Sequence, residues 1–99
     1  MKHTDKVLII GAGYVGLAYT CFFSQIFKTT VLDIDKNKIK QIRKCQFSAQ
    51  EESINIFLKR FKKNIKAESF IDNFSEYDLA LLCLPTDYDD KTNFFDTST

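Results

Sequence analysis

Val7-Leu8-Ile9-Ile10-Gly11-Ala12-Gly13-Tyr14-Val15-Gly16 is the stretch that decides how this chain folds. All 3 glycines of the 99 residues fall in its last six positions. An apolar run that ends in G-x-G-x-x-G and passes into a helical pattern reads as a strand, a tight turn and a helix. The first glycine makes the reversal, the second lets the main chain approach a pyrophosphate, and the third lets the helix pack close to the sheet. The pyrophosphate of a dinucleotide is then expected on the amides at the N-terminus of that helix.

Downstream, Thr29 to Leu32 reads as a second apolar strand that ends at Asp33. The offset from the turn is the roughly 20 residues at which an acidic side chain takes the ribose hydroxyls of the adenosine half. Between the two strands, Val15, Ala18, Tyr19, Phe22 and Ile26 share one helical face, which is expected to press on the sheet. A charged helix over residues 36–44 points Ile39 and Ile42 inward, and a third over 53–63 groups Ile54, Phe57, Leu58 and Phe61. The other side of that third helix carries Lys59, Arg60, Lys62 and Lys63, with Lys66 following, and reads as a solvated basic face.

Residues 64–68 form a short third strand, 72–76 a turn, and 79–84 a fourth, fully buried strand closed by Pro85. This order predicts an α/β fold, a Rossmann-type parallel sheet with right-handed crossovers and the partial strand order 3-2-1-4. Asp96-Thr97-Ser98-Thr99 has the composition of a helix N-cap and first turn. The expectation is therefore that residues 1–99 are the N-terminal part of one dinucleotide-binding domain, truncated before its last strands, with no second domain.

Composition narrows the function. With 14 basic against 13 acidic residues and a net charge of +1, no field over the whole protein recruits nucleic acid or an anionic membrane. Residues 7–27 carry no charge, yet the glycines, Thr20, Ser24 and Gln25 and the switch from strand to helical periodicity argue against a membrane span or signal peptide. The 3 cysteines, Cys21, Cys45 and Cys83, form no C-x-x-C pair, which points to a reducing cytoplasm. His3 is the single histidine, so neither a Cys-His nucleophile nor a zinc site is expected. The acidic cluster Asp87, Asp89, Asp90 and Asp96 lacks the glycine and terminal glutamate of a calcium loop and reads as a polar surface.

Three segments taken together closely resemble the nucleotide-sugar dehydrogenase family (UDP-glucose/GDP-mannose dehydrogenases). They are Gly11 to Leu17, Leu32-Asp33-Ile34-Asp35, and the tail from Leu84-Pro85-Thr86 through Tyr88, Asn93 and Phe95 to Asp96-Thr97-Ser98. The similarity runs along the whole chain, and the tail is more specific than the glycine motif. It departs from the family pattern at Leu84, usually threonine, and at Ser48-Ala49, usually Ser-Pro.

The resemblance implies an NAD-dependent oxidoreductase that turns the C6 hydroxyl of a nucleotide sugar, UDP-glucose first among them, into a carboxylate by two hydride transfers. It assigns NAD contacts to Gly11, Ala12, Gly13, Tyr14, Val15 and Gly16, to Asp33 at the ribose, to Lys38, and to Thr86 after the fourth strand. The family's catalytic cysteine and lysine lie far downstream of the matched part, so no catalytic residue and no metal ligand is expected among these 99 residues. The expected partners are NAD, the nucleotide sugar in the parent enzyme and further copies of the chain in a homo-oligomer. The alternatives are a stand-alone dinucleotide-sensing module, which gives no reason for the tail segment, and a remnant that keeps the fold and binds nothing.

Overall fold

A computed structural model describes residues 5–47 and 52–83. Strand β1 (Lys6–Ile10) leads through the glycine turn into α1 (Tyr14–Ser24), followed by β2 (Lys28–Leu32), α2 (Lys36–Arg43) and α3 (Glu52–Arg60). A 3₁₀ turn at Lys62–Asn64 enters β3 (Ile65–Glu68), and a second at Phe74–Glu76 precedes β4 (Leu79–Leu82). All strand pairs are parallel, in the order β3-β2-β1-β4. The α/β reading and the strand order thus match the expectation. Pro85 and the segment from Asp96 to Thr99 lie outside the described residues.

A parallel strand covered on both faces is apolar at consecutive positions. Val7, Leu8 and Ile9 at the centre of the sheet are each 0% exposed. Val7 and Ile9 look toward the helices and join Val31, Ala67, Leu17, Ile39, Ile42 and Leu58 in one core. The third helix is shorter than its periodicity suggested, giving way to the 3₁₀ turn. Its basic side from Lys59 to Lys63 is exposed as expected, while Phe61 is half-buried.

The face of α1 that meets the sheet is the reverse of the one expected. Gly16, Leu17, Thr20, Cys21 and Ser24 are buried, whereas Val15, Ala18, Tyr19 and Ile26 are exposed and Phe22 is 59% exposed. The reason is steric. Gly16, Thr20 and Ser24, spaced by one turn, make a low stripe that lets the helix settle on the sheet, and larger side chains must turn outward. The buried hydroxyls are satisfied within the helix: Thr20 Oγ1 donates to the Gly16 carbonyl (2.8 Å) and Ser24 Oγ to that of Cys21 (3.1 Å).

The fourth strand is likewise not fully buried. It ends at Leu82, and Cys83 stands just beyond it. Among the described residues it pairs with β1 alone, as an edge. Leu79 and Leu81, on the helix side, are half-buried, but Ala80 is exposed and Leu82 is 64% exposed on the other face.

Candidate functional site

In a parallel sheet the carboxyl ends of the strands share one edge. Gly11, Asp33 and Cys83 each stand one step past β1, β2 and β4, held by bonds that prolong the ladder. The Gly11 N–H donates to Leu32 O (2.7 Å), the Asp33 N–H to Glu68 O (3.1 Å) and the Cys83 N–H to Ile10 O (2.7 Å).

The three glycines differ in what surrounds them. Gly11 has φ +110°, and a Cβ there would overlap the carbonyl oxygen of Cys83. A Cβ on Gly16 would overlap the carbonyl oxygen of Gly11. At Gly13, by contrast, a Cβ would meet nothing within 4 Å. Two glycines are thus required by the packing of the turn itself, while the third borders open space, the position where a main chain would approach a bound pyrophosphate.

Gly13 is also the N-cap of α1, so the helix start has no side-chain cap, and its first turn has no acidic residue. The positive end of the helix dipole is therefore aimed at that same space without an acidic side chain of the first turn to offset it. Tyr14 and Val15 lie at this helix start, both exposed, and the Tyr14 ring packs edge-on against Phe47 with centroids 5.6 Å apart.

Asp33 is fastened to the turn. Its Oδ2 accepts from the Ala12 N–H (2.8 Å) and its Oδ1 from the Asp35 N–H (2.8 Å). Asp35 in turn caps α2 by accepting from the N–H groups of Asn37 and Lys38 (2.9 and 3.2 Å). Lys38 is thereby placed in the first turn of α2, half-buried, close in sequence to the acid. Thr86 lies outside the described residues, as do His3 and the cluster Asp87, Asp89, Asp90 and Asp96.

One feature escaped sequence reasoning. Beside Asp33, on the sheet face away from the helices, Ile10, Leu32, Ile34, Phe70 and Phe74 border a hollow of about 460 Å³. Phe74 falls in the turn expected over 72–76 and Phe70 just before it, and two phenylalanines so close together in a polar connection are the available signal. Ile34 is 89% exposed at the mouth of the hollow.

Among the described residues no group of His, Cys, Asp and Glu side chains is arranged to hold a metal, and no helix is long and apolar enough to cross a membrane. All three cysteines are free thiols. Burial pushes the thiols of Cys21 and Cys83 up from the usual cysteine range, away from a reactive thiolate.

Comparison with known proteins gives the family. Residues 5–98 match the UDP-glucose/GDP-mannose dehydrogenase family, NAD binding domain, whose cofactor is NAD. The chain is 39% identical over 95 residues to UDP-glucose 6-dehydrogenase of Campylobacter jejuni subsp. jejuni serotype O:2, covering 93% of this chain and 24% of that protein. It is 31% identical over 96 residues to UDP-glucose 6-dehydrogenase of Streptococcus pneumoniae, covering 94% and 24%. An uncharacterized protein of Methanocaldococcus jannaschii, MJ1054, is 28% identical over 90 residues, covering 89% and 10%. The chain therefore spans about a quarter of the length of the two dehydrogenases it matches.

Proposed function

The chain belongs to the UDP-glucose/GDP-mannose dehydrogenase family, and from that membership we propose that it is the NAD-binding part of a UDP-glucose 6-dehydrogenase. Such an enzyme converts UDP-glucose, two NAD and water into UDP-glucuronate, two NADH and released protons, and the UDP-glucuronate is a sugar-acid donor used in polysaccharide biosynthesis. The names of the two dehydrogenase relatives favour UDP-glucose over other nucleotide sugars. The free thiols agree with a reducing cytoplasm.

The observation that carries the reading is the contrast among the glycines. Gly11 and Gly16 are needed by the fold, and Gly13 keeps clear a space in front of a helix N-terminus. In this reading the pyrophosphate lies against Gly13, Tyr14, Val15 and Gly16, with Gly11 and Ala12 shaping the turn beneath it. Asp33 accepts from the ribose hydroxyls through lone pairs left beside its two backbone bonds. The adenine ring enters the apolar hollow between Ile34 and Phe70, whose volume lies in the ordinary range for ligand pockets. Lys38 and Thr86 complete the contacts on the strength of the family pattern. Bound NAD supplies the hydride acceptor, while these residues bind and orient it.

Two measurements test the proposal. Calorimetric titration of the chain with NAD should show one site, and absence of binding would overturn the reading as a whole. NADH formation by the protein as its source cells make it, offered UDP-glucose, GDP-mannose and a UDP-N-acetyl sugar in turn, should be confined to UDP-glucose. Preference for another sugar would overturn the substrate and leave the cofactor standing.

A further inference from the structure

At the opposite end of the strands from the glycine turn, Lys6 and Lys28 are register neighbours on β1 and β2 and so share one face of the sheet. Lys66 on β3 lies opposite Thr30 on that same face. With Lys63 from the 3₁₀ turn, these lysines border one groove of about 250 Å³, together with Thr30, Glu76 and Tyr77. The Tyr77 hydroxyl donates to Thr30 Oγ1 (3.3 Å), bringing two hydroxyls together at the groove.

The charge here is unbalanced. Glu76 is the single acid among the lining residues, and none of the four ammonium groups joins an ion pair; the salt bridge among the described residues is Arg43 with Glu68. Like charges at opposed strand positions repel, and a chain with 14 basic and 13 acidic residues has acids enough to avoid the clustering. The groove is too small for a helix and carries no stack of aromatic rings for nucleotide bases.

We infer that this groove binds a small polyphosphate anion, at a site separate from the strand ends that take NAD. Phosphate oxygens would neutralise Lys6, Lys28, Lys63 and Lys66 together and accept from the hydroxyl of Thr30, whose oxygen Tyr77 holds in place.

The test uses inorganic pyrophosphate on the full chain, titrated by calorimetry with and without saturating NAD. One saturable site that NAD leaves unchanged is expected, as is a loss of about tenfold or more in affinity in Lys28→Gln/Lys66→Gln. The control Lys40→Gln/Lys44→Gln, with the same change of charge at the C-terminal end of α2, should bind as the parent does. The inference is overturned by non-saturable binding, by an equal loss in the control, or by displacement with NAD, which would place the pyrophosphate at the glycine turn. Thermal unfolding gives a second readout: Lys28→Gln should raise the midpoint without anion and shrink the rise that pyrophosphate causes. A lowered anion-free midpoint would remove the repulsion on which the inference rests.

Discussion

The carboxylate of Asp33 accepts a 2.8 Å hydrogen bond from the backbone N–H of Ala12, so the acid after β2 and the glycine turn after β1 form one unit. A residue expected to serve the ribose also fixes the turn proposed to serve the pyrophosphate.

Asp33→Asn should therefore lose on two counts. An amide has one acceptor oxygen and turns an NH₂ toward one of the two N–H groups now bound, which costs about 1–3 kcal/mol of stability. NAD affinity should fall further than that of NADP, because the parent's charge repels a 2'-phosphate while Lys36 and Lys38 attract it. Urea unfolding and paired titrations at one ionic strength check both. Tighter NADP than NAD binding in the parent would refute the assignment.

The glycines should separate by phenotype. Gly13→Val places its side chain in open space, so stability should stay within about 1 kcal/mol of the parent while NAD affinity drops at least about tenfold. Gly16→Ala drives a methyl into the Gly11 carbonyl and should cost about 3 kcal/mol or more of stability. Thermal unfolding beside NAD titration gives the comparison. Normal NAD binding by Gly13→Val would move the site elsewhere.

The thiols set an alkaline limit. Because burial raises the pKa of Cys21 and Cys83 in the folded chain, the folded state holds protons that the unfolded state releases, and stability falls as pH rises past about 8.5. The stability difference between the parent and Cys21→Ala should shrink on going from neutral pH to pH of about 10 under reducing conditions. Because the family's catalytic cysteine and lysine lie outside the matched part, the chain by itself should form no NADH from UDP-glucose. Turnover abolished by replacing any of the three cysteines would show a nucleophile where none is expected.

The edge strand should make the chain self-associate. Strand β4 has one partner among the described residues and turns the 64% exposed Leu82 outward, a feature that invites edge pairing. Sedimentation should show concentration-dependent association that Leu82→Lys weakens. A stable monomer at high concentration would contradict this.

The strand order was legible because the apolar runs at 7–10, 29–32 and 79–82 and the glycine turn leave few arrangements of a parallel sheet. The orientation of α1 was not legible, since both of its faces carry apolar side chains and periodicity ranks the bulkier one as core. The motif held the answer: if Gly16 must face the sheet, Thr20 and Ser24 one and two turns later face it too. The second role of Asp33 was not legible, because no spacing rule states that a ribose ligand also accepts from Ala12. Nor was the Phe70–Phe74 hollow, which arises only when the connection from β3 to β4 crosses the sheet.

The order β3-β2-β1-β4 also governs how the chain comes together in time. Among the described strands the earliest in the sequence, β1, sits in the middle, and its link to the latest, seen in the bond between Lys6 and Asp78, spans 72 residues. On the ribosome, β1 to β3 emerge while one side of β1 is still bare and the carbonyl of Cys83, against which Gly11 is packed, has yet to appear. Long-range closures of this kind slow folding. The glycine turn, early in the sequence, is thus among the last of the described parts to reach its final shape.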